Sequence, residues 1–383
     1  MDTSKERSGR YQLQLGGYRA FIPRPLPPRP PLAIDDELLS LTSKADMALG
    51  RLDGSVQTLP DPDLFVLMYV RKEAVLSSQI EGTQSSLDDV LTAEAELFDP
   101  LRPRDVDEVI NYVQAMKYGL SRLEKMPVSV RLIREIHEKL LTGVRGQDRR
   151  PGELRTTQNW IGADRAPIAD ALFVPPPPGE VPAALADLER FLHDKSPLPA
   201  LIRIGLAHAQ FETIHPFLDG NGRVGRLLIA FLLCEAGLLR KPVLYISHFF
   251  KRHRDRYYGL LQGVRDRGDW ETWVKFFLTA AAEVADEATG TGRRIVELRE
   301  RHRKRIVETF GRVAGNGLKV LEKLYSRPII SVSTIAEQTG LSFPAAGHLM
   351  ERFVREGILS ETTGRVRNRR FRYGDYVSIF SEP

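Results

Sequence analysis

Within residues His215–Arg226, HPFLDGNGRVGR, stand an imidazole, a carboxylate, an asparagine, three glycines and two guanidinium groups. Gly220 and Gly222, on either side of Asn221, permit positive-φ backbone, so that consecutive N–H groups converge as an anion-binding nest ahead of a helix N-terminus. Arg223 and Arg226, three apart on the first turn of the outgoing helix, share a face and can each fork onto a phosphate oxygen. A nest and two guanidinium groups imply a polyphosphate. Asp219 is placed to hold Mg²⁺, an ion that takes one or two carboxylates together with phosphate oxygens and water. His215, at the mouth of the loop, suits a general base near neutral pH. Taken singly, each feature has a bland explanation, since DGNG is often a tight turn and paired arginines are often a solvated face. In this order at a helix start they read as phosphoryl-type transfer from a nucleotide to a hydroxyl.

The loop must be held by the helices around it. ALIRIGLAHAQFETI is an amphipathic helix leading in, and RVGRLLIAFLLCEAGLL is an almost wholly apolar helix leading out, which belongs at the centre of a bundle. Cys234 lies in the second of these and reads as a packed thiol rather than a nucleophile. Earlier, DPDLFVLMYVRKEAVLSSQIEGT has helical apolar spacing and stops at Gly82, a residue suited to the left-handed position after a helix end. Glu81 is therefore presented at the negative end of a helix dipole, where an anion is disfavoured unless a cation meets it. FIPRPLPPRPPLAID, residues 21–35, is too rich in proline for helix and reads as an extended strap. TTQNWIGADRAPIADALFVPPPP reads as a short hairpin or flap.

A chain of 383 residues with 42% hydrophobic content supports two or three domains. No segment has the apolar length of a signal peptide or a membrane span, which makes a cytoplasmic protein without membrane partners the expectation. The net charge of +5 is unevenly spread: from residue 291 onward there are 18 Lys and Arg against 10 Asp and Glu, leaving 37 against 40 before it. That last segment orders as helix, helix, helix, strand, turn, strand, with Ser342 placed as an N-cap, and resembles a winged helix. Its third helix and the stretch RVRNRRFR would face DNA. SFPAAGHLMERF offers few side chains that read base edges, so protein docking or homodimerisation stands beside DNA as the expectation.

HPFLDGNGRVGR matches throughout the signature of the Fic family, and GYRAFIPRPLPP, RKEAVLSSQIEGTQSSL, TTQNWIG, FVPPPP and RYYGLLQGVRDRGDWETW are similar to the larger Fic proteins. The resemblance covers roughly residues 11–285. It implies a mainly α fold: a Fic helical bundle with a short β-hairpin flap, an N-terminal helical extension over residues 1–100, a catalytic domain over 101–290, and a linker helix with a winged helix over 291–383. It implies protein AMPylation, the transfer of AMP from ATP to a Ser, Thr or Tyr hydroxyl of a target protein with release of pyrophosphate. His215 would deprotonate the hydroxyl and Asp219 would bind Mg²⁺. Gly220, Asn221 and Gly222 would form the anion hole, Arg223 and Arg226 would clamp the outer phosphates, and Gly225 would complete the nucleotide-binding set. Ser77, Glu81 and Gly82 fit the family's inhibitory motif, with Arg226 as the cation that Glu81 meets. Tyr258 and Tyr257 resemble positions beside the adenine, and Thr157, Gln158, Asn159, Trp160 and Ile161 would align a target segment by strand addition. Removal of AMP, phosphotransfer, which a lysine in the loop instead of Gly222 would favour, and nucleotide sensing by a DNA-binding regulator are the alternatives.

Overall fold

The computed structural model describes residues 6–57, 62–95, 103, 105–162, 166–364 and 368–381. A hairpin of β1 (Gly9–Leu13) and β2 (Arg19–Pro23) precedes the helices, with Tyr11 opposite Phe21. The strap after it is extended, as its prolines require, and is tied down by Arg7, which bonds to Glu271 (2.9 and 3.0 Å) and to the carbonyls of Pro30 and Pro31. The strand at Phe21–Pro23, inside the expected strap, forms because Phe21 is buried and its N–H pairs with the Val174 carbonyl (2.9 Å).

The helices are α1 (Asp36–Gln57), α2 (Pro62–Ile80), α3 (Leu87–Glu94), α4 (Val106–Leu123), α5 (Val130–Leu141), α6 (Val181–His193), α7 (Ala200–Ile214) and α8 (Asn221–Glu235). They continue as α9 (Ser247–Arg252), α10 (Arg254–Arg267) and α11 (Trp270–Thr309). The chain is mainly helical, as its apolar periodicity implies. Helices α7 and α8 form the centre, buried on nearly every face, and the loop between them is thereby fixed from both ends. Helix α2 lies over them, anchored by the buried Glu73, which accepts from Ser247 N (3.1 Å) and Oγ and from Tyr112 Oη (3.3 Å). The 40-residue α11 runs from the bundle into the C-terminal segment without a break at residue 290.

There α12 (Ala314–Leu324), β3 (Ile329–Ser331), α13 (Val332–Thr339), α14 (Phe343–Arg355), β4 (Ser360–Glu361), β5 (Arg370–Arg372) and α15 (Gly374–Ser381) follow, with the strands ordered β3, β5, β4, all antiparallel. Strand β3 and helix α15 were not expected from the pattern. Ser342 is the N-cap residue of α14, but its side chain accepts no capping bond. Arg365, Val366 and Arg367 of RVRNRRFR lie outside the described residues. Among the described residues no helix is long and apolar enough to cross a membrane. Cys234 is half-buried and desolvation pushes its thiol up to about 12, so it stays protonated.

Candidate active site

His215 ends α7 with φ 49° and ψ 60°, a left-handed conformation that costs a non-glycine residue about 1–3 kcal/mol and persists only where the surroundings enforce it. Two side chains enforce it: Arg155 Nε donates to the His215 carbonyl (2.9 Å), and Asn159 Nδ2 donates to the Phe217 carbonyl (2.8 Å). Asn159, expected on a target-docking flap, thus holds the site's wall. Burial, followed by Arg265 and Arg155, pushes the imidazole down to about 3. It is neutral at pH 7, as a proton acceptor must be, and its Nδ1 is buried with no hydrogen-bond partner among the described residues.

Two further histidines fix the loop. His137 Nδ1 accepts from Gly152 N (2.8 Å), so its Nε2 carries the proton and donates to the Asp219 carbonyl (3.0 Å) while the ring stacks on Phe217 at 3.7 Å. His208 Nδ1 bonds to the Gly225 carbonyl (3.0 Å), which can only accept, so its Nε2 accepts from Tyr257 Oη (2.9 Å). Neither tautomer leaves a trace in the sequence.

The loop itself differs from the expected nest. Of the loop glycines only Gly220 uses a positive φ (77°), and α8 begins at Asn221, so Gly222 is already helical. Gly222 has another reason to lack a side chain: a Cβ there would stand 2.2 Å from Glu81 Oε1. A Cβ on Gly225 would likewise meet Glu212 Oε1 at 2.2 Å, which makes Gly225 a packing contact between α7 and α8 rather than a phosphate contact. The Asn221 side chain spans the loop, accepting from Phe217 N and donating to Phe217 O, both at 2.8 Å.

The two arginines are both buried and both engaged. Arg226 donates from Nε to Ser77 Oγ (2.8 Å) and from Nη2 to the Ser77 carbonyl (2.9 Å) and to Glu81 Oε1 (2.6 Å). Glu81 thus has the cation expected of it. Burial pushes its carboxyl up, but the charge and hydrogen bond of Arg226 and the charge of Arg223 outweigh this and hold it below its ordinary range. Arg223 pairs with a residue the sequence did not single out, Glu108 on α4 (Nη1 to Oε2, 3.0 Å), which also holds Arg145 (3.1 Å). Glu108 and Arg223 are 115 residues apart, so no local spacing reveals the pair. Breaking a buried pair from one side costs about 3–5 kcal/mol. We expect Glu108→Gln to lower stability at the low end of that range, read from urea midpoints, because the amide still accepts one bond and Arg145 is largely exposed.

Glu81, Arg145, Gly146, Asp148, Arg149, Asp219 and Arg223 line a cleft of about 360 Å³, large enough for a phosphate chain. Arg223 Nε and Arg226 Nη1 are buried without partners among the described residues, so donors remain for ligand oxygens. The Asp219 side chain is 41% exposed on this cleft, as a metal ligand needs. Tyr258, 37% exposed and capped by Arg254 at 5.3 Å, lies within electrostatic reach of Glu81 and Arg226. Tyr257 is 1% exposed and packs on Phe250 at 4.5 Å, so it belongs to the core and not to a base-binding face; one residue is a 100° turn of helix. In the flap, Thr157 and Trp160 are exposed, and Ile161 makes a single antiparallel bridge with Phe173 instead of a longer ladder, because Pro167 and Pro175–Pro178 remove the donors.

Comparison with known proteins places these features in a family. Residues 39–121 match the Fic/DOC family N-terminal model and residues 127–233 match the Fic/DOC family model. The chain is 32% identical over 183 residues to a protein of Drosophila ananassae named protein adenylyltransferase Fic, covering 47% of this chain and 33% of that one. It is 31% identical to the Drosophila melanogaster protein of the same name, covering 47% and 34%. The chain thus spans about a third of the length of these curated relatives. Among solved structures it resembles a Fic family protein from Desulfovibrio desulfuricans G20 (TM-score 0.60, 21% identity, 90% of this chain and 97% of that one). A Fic domain containing signaling protein from Bacteroides thetaiotaomicron VPI-5482 is also similar (TM-score 0.51, 19% identity, 67% and 97%). At these identities the two structures speak for the fold.

Proposed function

We propose, from the premise that this chain belongs to the Fic/DOC family, that it is a protein adenylyltransferase held inactive by Glu81. The observation that carries the reading is the bond from Arg226 to Glu81 directly beside Gly222, on the helix start where a polyphosphate would sit. The neutral His215 takes the proton from a hydroxyl of the target protein. The hydroxyl oxygen bonds to the α-phosphorus of ATP, the bond from that phosphorus to the bridging oxygen breaks, and pyrophosphate leaves. The N–H groups at the start of α8 receive charge developing on the phosphate oxygens, and Arg223 and Arg226 hold the outer phosphates once freed from their carboxylates. Asp219 would hold Mg²⁺, which supplies charge neutralisation along the phosphate chain when bound. With Glu81 on Arg226, the outer phosphate loses its place and the α-phosphate is misaligned for attack. In the absence of a lysine in the loop, adenylyl transfer is favoured over phosphotransfer. The test is to incubate the Glu81→Gly chain with ATP and Mg²⁺ and search its peptides and those of added proteins by mass spectrometry. Adenylyl groups on hydroxyl side chains are the expected result; phosphoryl groups alone would assign the other transfer.

The pH profile follows from His215. Its proton-free form persists until pH falls through its lowered value of about 3, well below the ordinary 6.5. For the Glu81→Gly chain, kcat/KM, which reports free-enzyme ionisations, is expected to show no acid limb near 6.5 between about pH 8 and about pH 5. Such a limb would contradict the buried, neutral base.

We also propose that residues 291–383 form a linker helix and a winged-helix module in a cytoplasmic protein, a reading that the last part of α11 and the elements from α12 to α15 support. Its charge of 18 against 10 suits a polyanion, whereas Phe343, 63% exposed at the start of α14, suits a protein or a second copy of the chain. Retention on DNA that falls steeply with salt would assign DNA; none at modest salt would leave protein docking.

A further inference from the structure

We propose that the cleft where α2, α3 and α4 meet the C-terminal module binds a small phosphorylated ligand, and that its occupancy strengthens the hold of Glu81 on Arg226. The second half rests on the reading of Glu81 as inhibitory. The cleft has a volume of about 530 Å³, within the range of small-molecule sites. Four cations line it, Arg71 from α2, Lys117 from α4, Arg327 before β3 and Arg370 from β5, against the single carboxylate of Glu94. Arg71 is 6% exposed, yet its Nε is buried with no partner among the described residues. Its Nη2 holds Glu94 (2.7 Å) and its Nη1 reaches the Ser326 carbonyl at 3.3 Å. Lys117, Arg327 and Arg370 make no ion pair with a carboxylate among the described residues. A buried guanidinium with an unused donor, ringed by three unpaired cations, calls for an anion that takes several charge-assisted bonds at once, which is the chemistry of a phosphate group. Leu91 and Ile330 supply apolar wall for the carbon skeleton that carries it. A seam closed by elements of one chain suits a metabolite-sized molecule better than a polymer.

Coupling follows from α2, which carries both ends of the connection. Arg71 and Ser77 are six residues apart, about 9 Å along the axis. The C-terminal module also grips α2 through Phe65 on Tyr325 (5.2 Å) and Tyr69 on Phe380 (5.3 Å), and it grips α3 through Arg372 to Asp88 (2.5 Å). The cleft therefore has this shape while α2 is seated, and the seated α2 is what holds Ser77 and Glu81 on Arg226. A ligand that binds the seated arrangement stabilises it, and by linkage anything that loosens Glu81 weakens that ligand.

The test uses the full chain and inorganic phosphate as the probe. Hydrogen exchange over residues 91–95 and 326–334 is expected to slow with millimolar phosphate in the wild type and not in Lys117→Ala/Arg327→Ala, whose two positions are exposed and leave the fold intact. Protection unchanged in that double variant would overturn the site. Phosphate is also expected to lower AMP transfer by the wild type about fivefold, with the Glu81→Gly chain unaffected. Equal inhibition of both would overturn the coupling, because it would place the effect at the nucleotide cleft. If Glu81→Gly is no more active than the wild type, the inhibitory role fails while protection at the seam stands or falls separately.

Discussion

Replacing Glu81 by glycine is expected to raise AMP transfer by about 100-fold, the scale on which a misplaced reacting group slows an enzyme. Removing the carboxylate frees one donor of Arg226 Nη2, while Ser77 continues to hold Nε through its hydroxyl and the other Nη2 donor through its carbonyl, so the guanidinium stays oriented toward the loop with a donor available for phosphate. The same change leaves a buried arginine with only neutral partners. That arrangement is expected to cost up to about 3 kcal/mol in the absence of nucleotide. ATP restores the missing negative charge, so it is expected to raise the melting temperature of Glu81→Gly more than that of the wild type. Comparing the two by thermal denaturation with and without ATP and Mg²⁺ checks this. An equal response in both chains would mean that Glu81 does not compete with phosphate for Arg226.

Replacing His215 is expected to have the opposite effect on activity and almost none on stability. In the Glu81→Gly background, His215→Gly is expected to lower transfer by about 10²–10⁴-fold, the contribution of a positioned general base. The residue stands at φ 49°, where glycine is unstrained, and its Nδ1 has no hydrogen-bond partner among the described residues, so the backbone bond with Glu212 is the one the ring gives up against that relief. The variant is therefore expected to unfold at the same urea concentration or higher, with relief of about 1 kcal/mol of strain. A large fall in both activity and stability would recast His215 as a structural residue. Strain held at a position whose side chain contributes no hydrogen bond from Nδ1 is what a chemical role would leave behind.

Much of this site was legible because its parts are contiguous. The residues of HPFLDGNGRVGR meet in space because they meet in sequence, and the apolar character of α7 and α8 shows that the bundle must hold the loop between them. Glu81 was legible for a different reason: a carboxylate at a helix C-terminus is an electrostatic anomaly that demands a cation. What escaped notice are long-range pairs. Glu108 is an ordinary acidic residue in the first turn of α4 until the fold sets it against Arg223, and Arg155 is one of many arginines until it meets the His215 carbonyl. Gly222 was singled out for the wrong physical reason, backbone freedom, because the contact that excludes a side chain comes from another helix. Tyr257 and Tyr258 could not be ranked by type, since only the direction in which α10 faces separates a core ring from one at the cleft.

The most direct measurement is transfer of label from ATP carrying it at the α- or the γ-phosphate, with Mg²⁺, for the wild type, Glu81→Gly and His215→Ala. Label on protein from the α position alone, weak in the wild type, strong in Glu81→Gly and absent in His215→Ala, is the expected result. Label from the γ position, or α label that is as strong in the wild type as in Glu81→Gly, would contradict an adenylyltransferase restrained by Glu81.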